Sequence, residues 1–293
     1  MSRPGLGIAL AAIGGVIFGA SATLGGFAVE SVDPLRLAAA RVGIAGLCLA
    51  PFAVLHRRAI ARAPWSVAGI GLIQIAVNTL LYVAISRVGV GPGVGLEFLA
   101  PILVVAWDRV TGTARPRLIT WAAVVAAVVG VGLLVEAGDL TELDPVGVLA
   151  GLGAAVGLAS YLRLAEHVGA TTGGFPLAAG AITFGGVVGL AISRPWGLVG
   201  TVDPAVAWSV LLLGTVAMAL PLSIEMTSLS MTPARIIGVV ITVEPVAAAL
   251  TARWYLDQTL STSQVAGLVM IVAAVAAVSW TTARADVPAP SPG

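Results

Sequence analysis

Charge is what this sequence has least of. Only 10% of its 293 residues are Asp, Glu, Lys or Arg, against about 25% in an ordinary soluble domain. A water-clad globule is excluded. Lysine is absent, so all 15 cationic side chains are arginine, which reads as genome composition rather than function. A single cysteine, Cys48, excludes an internal disulfide and says little about redox compartment. Of the two histidines, His56 and His167, each is expected in a cytoplasmic loop, and no G-x-S-x-G, H-E-x-x-H or paired Asp-rich motif accompanies them. An enzyme needs a nucleophile with its base, a metal cluster or a diphosphate site. The chain therefore reads as no enzyme, with no cofactor and no metal. A formal net charge of +1 gives no reason to expect a nucleic-acid partner.

What fills the chain instead is apolar sequence, 58% of it. Long apolar stretches recur from end to end at roughly the 20 residues an α-helix needs to cross a bilayer. The expected fold is all-α and integral to a lipid bilayer, with ten spans near 6–28, 35–55, 65–86, 90–107, 118–136, 145–164, 174–193, 205–229, 236–255 and 264–282. Between them fall the Pro-, Gly- and charge-rich breaks "ESVDP", "HRRAIARAP", "DRVTGTARPR", "EAGDLTELDP" and "RPWGLVGTVDP". "ASA" at 20–22 resembles a signal-peptidase site, but the apolar run continues to Ala28, so this segment is kept as the first span. The tail, 284–293, is Pro-rich and expected to be disordered.

Short cytoplasmic loops collect cationic residues. One alternate set of connections carries Arg57, Arg58, Arg62, Arg109, Arg115, Arg117 and Arg163, and the termini add Arg3 and Arg284. The other set carries Glu30, Asp33, Glu136, Asp139, Glu142, Asp144, Asp203 and Asp257, diluted by Arg87 and Arg194. Both termini are thus expected in the cytoplasm, which an even number of spans satisfies. Sliding the chain on itself by 144 residues lays Pro101 on Pro245 and Ser86 on Ser230, and brings the Glu97 region against the Glu244 region. Residues 1–143 and 144–283 then each hold five spans. An odd number inverts the second half, the arrangement of many secondary transporters with a midplane site. Glycines four apart, at Gly15/Gly19, Gly147/Gly151, Gly153/Gly157 and Gly185/Gly189, read as helix packing. Trp65, Trp107, Trp121, Trp196, Trp254 and Trp280 sit near span ends, as an interfacial belt does.

Against this background the polar residues inside spans stand out. Glu97, Glu225 and Glu244 lie in apolar runs, and Arg41 lies near the middle of the second. Each charge at a helix centre costs roughly 2.5–3.5 kcal/mol, so such groups face a cavity, find a partner or stay neutral. The plain alternative is an ion pair between Arg41 and a glutamate, but three carboxylates and one arginine do not pair off. For Glu225, snorkelling to the interface is a competing reading. Burial disfavours an ionised carboxylate, so a cavity glutamate can load and release a proton. Pro101, Pro245 and Pro221 cannot donate to the carbonyls of Glu97, Ile241 and Ala217, nor Pro51 to that of Leu47. Exposed carbonyls at membrane depth belong beside a cavity or water, although a kink for packing explains a proline equally well. Gln74, Asn78 and Tyr82 recur every four residues and share a face, which either glues helices or lines a pathway.

At these residues, "VGPGVGLEFLAPILVVAW" and "LPLSIEMTSLSMTPARIIGVVITVEPVAAALTARWYLDQTLSTSQVAGL", the chain resembles the drug/metabolite transporter superfamily. Within it the likeness is greatest to the EamA-type threonine and homoserine exporters of bacterial inner membranes. The resemblance covers nearly the whole chain, loosely at the first and sixth spans. It implies ten helices as two inverted five-helix repeats around a central cavity, cytoplasmic termini, and efflux of small amphiphilic metabolites coupled to protons. The motif positions it carries over are Glu97, Pro101, Glu225, Arg235, Glu244 and Pro245. "YLDQTL" (255–260) departs from the commoner Gly-Glu stretch there.

The expected function is a secondary transporter exporting an amino acid or related small metabolite, with a coupling proton. A metabolite importer or broad drug exporter, or a non-transport structural membrane protein, are the alternatives, and a homodimer is left open. Substrate-binding or proton-coupling roles are expected of Glu97, Glu244, Glu225, Arg41, Asn78, Tyr82, Gln74 and Arg235. Pro101, Pro245 and Pro221 are expected to break helices at the cavity.

Overall fold

The computed structural model describes residues 3–20, 28, 31–113, 116–134, 144–193, 203–255 and 261–285. Every regular element among them is helical. The long helices are α1 (Arg3–Ala20), α2 (Pro34–Leu55), α3 (Pro64–Val88), α4 (Val90–Glu97), α5 (Ala100–Thr111), α6 (Leu118–Leu134), α7 (Pro145–Thr172), α8 (Gly174–Ser193), α9 (Pro204–Leu229), α10 (Ala234–Val240), α11 (Val243–Tyr255) and α12 (Thr262–Ala285). Seven stretches are long and apolar enough to cross a membrane: α1, α2, α3, α7, Gly174–Ile192, α9 and the α10–α11 stretch Ala234–Thr251. Leu118–Leu134 and Thr262–Ala277 are shorter apolar helices.

Local chemistry sets the starts. Asp33, Asp144 and Asp203 each precede a proline and cap the helix behind it, accepting from backbone N–H groups two or three residues on. Proline at the first helical position forfeits only an N–H that has no partner inside the helix. Two of the tightest connections turn on a glycine at positive φ, Gly89 (87°) between α3 and α4 and Gly173 (85°) between α7 and α8, where an L side chain would be strained.

Two expected spans turn out to be broken helices. The 90–107 span is α4 and α5, interrupted at Phe98–Leu99, and the 236–255 span is α10 and α11, interrupted at Ile241–Thr242. Proline explains both. With no N–H on Pro101 or Pro245 the regular ladder fails, and tighter bonds take over: Leu99 N–H donates to Leu96 O (3.2 Å), Thr242 N–H to Val239 O (3.2 Å) and Glu244 N–H to Ile241 O (2.9 Å). The Ile241 carbonyl, expected to be free, is thus taken by the amide of Glu244. A third irregularity sits in α9, where Thr215–Ala219 widens into π geometry just before Pro221.

Boundaries shift elsewhere. The sixth expected span, 145–164, runs on to Thr172, so Arg163 and His167 lie in α7 rather than a loop. Arg109 lies in the last turn of α5. Glu30, Arg115, Glu136, Asp139, Glu142, Arg194, Trp196, Asp257 and the tail beyond 285 lie outside the described residues, as does most of "YLDQTL".

Small residues set how closely helices approach. A Cβ on Gly46 of α2 would lie 2.8 Å from the Ile182 carbonyl oxygen and 3.1 Å from Gly186 Cα of α8. One on Gly130 of α6 would lie 2.8 Å from the Gly267 carbonyl oxygen of α12. Accordingly α2 packs on α8 and α6 on α12, while α3 packs on α7 and α1 on α9 and α11. The outside of the bundle is apolar and exposed, with Trp65 and Trp254 each 88% accessible, as residues facing lipid are.

Candidate functional site

Arg41 projects from the middle of α2 toward the polar face of α3. Asn78 Nδ2 donates to the Gln74 carbonyl (2.8 Å), which orients its amide so that Oδ1 accepts from Arg41 Nη1 (3.2 Å). The same Nη1 donates to the Tyr82 hydroxyl (3.1 Å). Arg41 Nη2 donates to the Ala217 carbonyl in the π turn of α9 (3.0 Å), the carbonyl that Pro221 cannot serve. The guanidinium carbon stands 5.6 Å from the centre of the Phe18 ring of α1, in cation–π range. Its Nε is buried and has no hydrogen-bond partner.

Beside this arginine is a cavity of about 70 Å³. Its polar lining is Arg41, Gln74, Asn78, Glu97, Tyr161, Glu225 and Glu244, and Phe18, Phe98 and Leu222 are among its apolar walls. Four helices or helix breaks deliver the acidic and phenolic groups. Glu97 ends α4, Glu244 lies in the first turn of α11, Glu225 is in α9 and Tyr161 is in α7. The two chain breaks therefore place two of the three carboxylates. Glu97, Glu244 and Arg41 are within electrostatic reach of one another, and Glu225 acts on Glu97. Among the described residues no ion pair within 4 Å joins any of these glutamates to a cation. The Arg41–glutamate clamp weighed from sequence is not formed, because the guanidinium spends its hydrogen bonds on Asn78, Tyr82 and Ala217.

Glu225 is 7% accessible and faces the cavity, so it does not snorkel. Tyr161 is 1% accessible, and its hydroxyl lies within hydrogen-bonding reach of the Glu225 carboxylate, in a geometry too loose for a well-formed bond at Glu225 Oε1. Two larger hollows, of about 770 and 720 Å³, are more open and mostly apolar, around Trp65 and Trp107. The intramembrane carboxylates gather at the small central one.

Not every residue singled out in the sequence comes to this cavity. Tyr82 is buried behind Arg41 as its hydrogen-bond acceptor rather than lining the hollow. Pro101, Pro221 and Pro245 stand at the helix irregularities, off the lining. Arg235 belongs to a second polar cluster. Its Nη1 stands 3.6 Å from Oδ2 of Asp108, whose Oδ1 pairs with Arg163 Nη2 at 2.9 Å and accepts from Thr113 Oγ1 at 3.1 Å. Asp108 is fully buried. It was missed as a loop residue in "DRVTGTARPR" because α5 continues past it to Thr111. Tyr161 and Phe18 were also missed. Tyr161 carried a usable signal, a phenol within an apolar span, whereas Phe18 looks like any apolar residue until α1 is docked.

A bundle of apolar helices enclosing a shared polar hollow, with helices broken beside it, defines a multi-pass membrane protein of transporter build. The chain belongs to the EamA-like transporter family, whose sequence model matches residues 5–136 and 145–280. It is 33% identical over 209 residues to the threonine/homoserine exporter RhtA of Salmonella typhimurium strain SL1344, covering 70% of this chain and 67% of that one. To the threonine/homoserine exporter RhtA of Escherichia coli K12 it is 32% identical over 202 residues, covering 67% and 65%. A solved structure described as "Crystal structure of protein" superposes with a TM-score of 0.76 over 96% of this chain and 99% of that chain, at 19% identity, a likeness of fold alone.

Proposed function

We propose that this protein exports a small amino acid of the threonine or homoserine kind across a bacterial inner membrane, by proton antiport with alternating access. The observation that carries the proposal is one arginine and three unclamped glutamates around a single hollow of about 70 Å³. At roughly 10–15 Å³ for each water, that is room for about five waters, the scale of a small metabolite rather than a bulky drug. Arg41, with its Nε unpartnered, offers a place for a substrate carboxylate. Glu97 or Glu244 holds the substrate ammonium or a proton in turn, since like charges crowded into one low-dielectric hollow repel. A proton entering from outside neutralises the glutamate, weakens its hold on the amine and releases substrate outward.

Ten spans in two inverted repeats, with both termini cytoplasmic, complete the proposal. Adding 144 to the bounds 90, 97, 100 and 111 gives 234, 241, 244 and 255, and α10 and α11 span Ala234–Val240 and Val243–Tyr255. Helices matched by this shift, α2 with α8 and α6 with α12, pack on each other. Arg57, Arg58 and Arg62 in the α2–α3 connection support the orientation. The test is amino-acid flux in vesicles reconstituted with Glu97→Gln or Glu244→Gln at two external pH values. Loss of pH-driven flux in either variant is expected; undiminished, pH-independent flux in both removes these glutamates from coupling.

A further inference from the structure

Between the central hollow and one end of the bundle, α5, α7 and α10 pack on one another in layers. That end carries the α2–α3 connection with Arg57, Arg58 and Arg62, since Arg62 Nη1 donates to the Thr171 carbonyl at the close of α7 (3.4 Å). Outermost is the Asp108 cluster, which joins α5 to Arg163 of α7 and Arg235 of α10. One turn inward, Gly238 of α10 packs between the other two helices. A Cβ there would lie 3.6 Å from Pro101 Cα and 3.7 Å from a methyl of Leu162. About a turn further in, Phe98, Leu158, Tyr161 and Ile241 line the hollow itself. Arg235 and Ile241 are six residues apart, so at 1.5 Å per residue the cover is about 9 Å thick.

The two layers of the cover are held differently. The inner one is glycine, proline and leucine, which have no side-chain polar group to strand when they separate. The outer one is ionic. Asp108 is fully buried, and its Oδ1 is taken by Arg163 at 2.9 Å and Thr113 Oγ1 at 3.1 Å. Its Oδ2 has Arg235 standing off at 3.6 Å without a hydrogen bond. Arg163 is also tied to Glu166 on its own helix, so Arg235 is the partner that lets go first. Both arginines keep some side-chain exposure and can be rehydrated on release. Asp108 lies in the matched stretch 5–136 and both arginines in 145–280, so the cluster fastens the two halves of the chain together. Among the described residues one other ion pair does so, Arg87–Asp144 at the opposite end, and its side chains are 53% and 34% exposed. Exposed pairs of that kind contribute little, so the firm fastening is at one end.

We propose that Asp108, held by Arg163 and Arg235, is the latch of a gate that closes the central hollow to the arginine-loop end of the bundle. The assignment rests on the alternating access proposed above, which requires this cover to part once in each cycle, and it names the contact that breaks. α5 and α10 are each one piece of a broken helix, so parting Asp108 from Arg235 also displaces the breaks beside Glu97 and Glu244.

The experiment reads access to the hollow from each face of the membrane and needs no substrate. Leu158→Cys, in a full-length Cys48→Ala background that removes the native thiol, is placed in sealed vesicles of either orientation. It is labelled with a charged, membrane-impermeant methanethiosulfonate. A minor conformation is typically about 0.1–10% populated, so releasing the latch is expected to raise labelling from the Asp108 end by about tenfold or more. Asp108→Asn and Arg235→Gln are both expected to give this rise, with labelling from the opposite face not raised. Arg87→Gln is expected to leave labelling from the Asp108 end unchanged. No rise in either latch variant overturns the proposal. So does an equal rise from both faces, which makes the cluster a plain structural clamp, and so does an equal rise with Arg87→Gln. Should Asp108→Asn fail to fold, Arg235→Gln decides alone, since it leaves Asp108 its pair with Arg163. If wild-type vesicles move no amino acid while the one-sided rise persists, the export reading fails and the latch stands.

Discussion

Replacing Gly19 by alanine tests how closely α1 must approach the broken helix that carries Glu244. A Cβ at Gly19 would sit 2.8 Å from Ala247 Cβ and 2.9 Å from the Ala248 amide nitrogen, with the Glu244 carbonyl oxygen nearer still. Carbon atoms rest at about 3.5–4.0 Å, so α1 and α11 must part by roughly 1 Å. Two of the three obstacles are backbone and cannot rotate away. Overpacking of this kind costs about 1–3 kcal/mol, offset by up to about 1 kcal/mol because alanine favours the helix. A net loss of about 1–2 kcal/mol lowers the unfolding temperature in detergent by roughly 2–6 °C. Transport suffers more, because the displaced backbone is that of Glu244 itself, and a shift near 1 Å at a site of chemistry costs up to about a hundredfold. Gly15→Ala, one turn earlier, is the contrast. Its new Cβ meets one methyl of Val243 at 2.7 Å, with the nearest backbone at 3.7 Å, so a single β-branched side chain rather than backbone has to shift. Gly132→Ala meets nothing within 4 Å and serves as control. If Gly19→Ala matches Gly132→Ala in both unfolding temperature and flux, the close approach does not position Glu244.

Asp108→Asn removes the buried carboxylate shared by two arginines that keep 21% and 29% side-chain exposure, leaving Arg163 only Glu166. The expected loss is about 3 kcal/mol, the low end for breaking a buried pair, read as a lower unfolding temperature. Arg163→Gln should cost more than Arg235→Gln, since Arg163 lies at 2.9 Å and Arg235 at 3.6 Å; the reverse order would contradict the geometry. Asp144 gives a pH effect of known sign. The N–H groups of Gly147 and Val146, helped by Arg87, hold its carboxyl below the ordinary 3.8. Its charge therefore stabilises the fold fully above that value, and the benefit is lost as pH falls from there through the lowered value of the folded state. Asp144→Asn, which keeps a capping side chain, should unfold below the wild-type temperature near pH 7, with the gap narrowing as pH falls below 3.8; a constant gap would refute the assignment.

Particular elements show what the sequence made legible. The membrane class was readable because 58% apolar composition admits no other solvent. Three helix starts, those of α2, α7 and α9, were readable because Asp-Pro pairs cap and preset them. The polar ladder Gln74–Asn78–Tyr82 was legible as one face of a helix, since a period of four is local. The end of α7 was not, because Arg163, Glu166 and His167 look like a loop until their partners are in place, with Arg163 bound to both Asp108 and Glu166. Arg235 was grouped with the cavity residues through family resemblance, yet it pairs with Asp108 instead.

By itself, then, the sequence determined the solvent, the helical class and the identity of the costly intramembrane charges. These follow from local terms, transfer free energy and backbone hydrogen bonding, that act wherever a residue sits. Only the tertiary structure decided which charges meet. It turned Arg41 to Asn78, Tyr82 and the Ala217 carbonyl, left three glutamates unclamped, and set Tyr161 beside Glu225. A side chain's partner depends on how glycine-lined helices far apart in the chain dock, and no local preference records that distance.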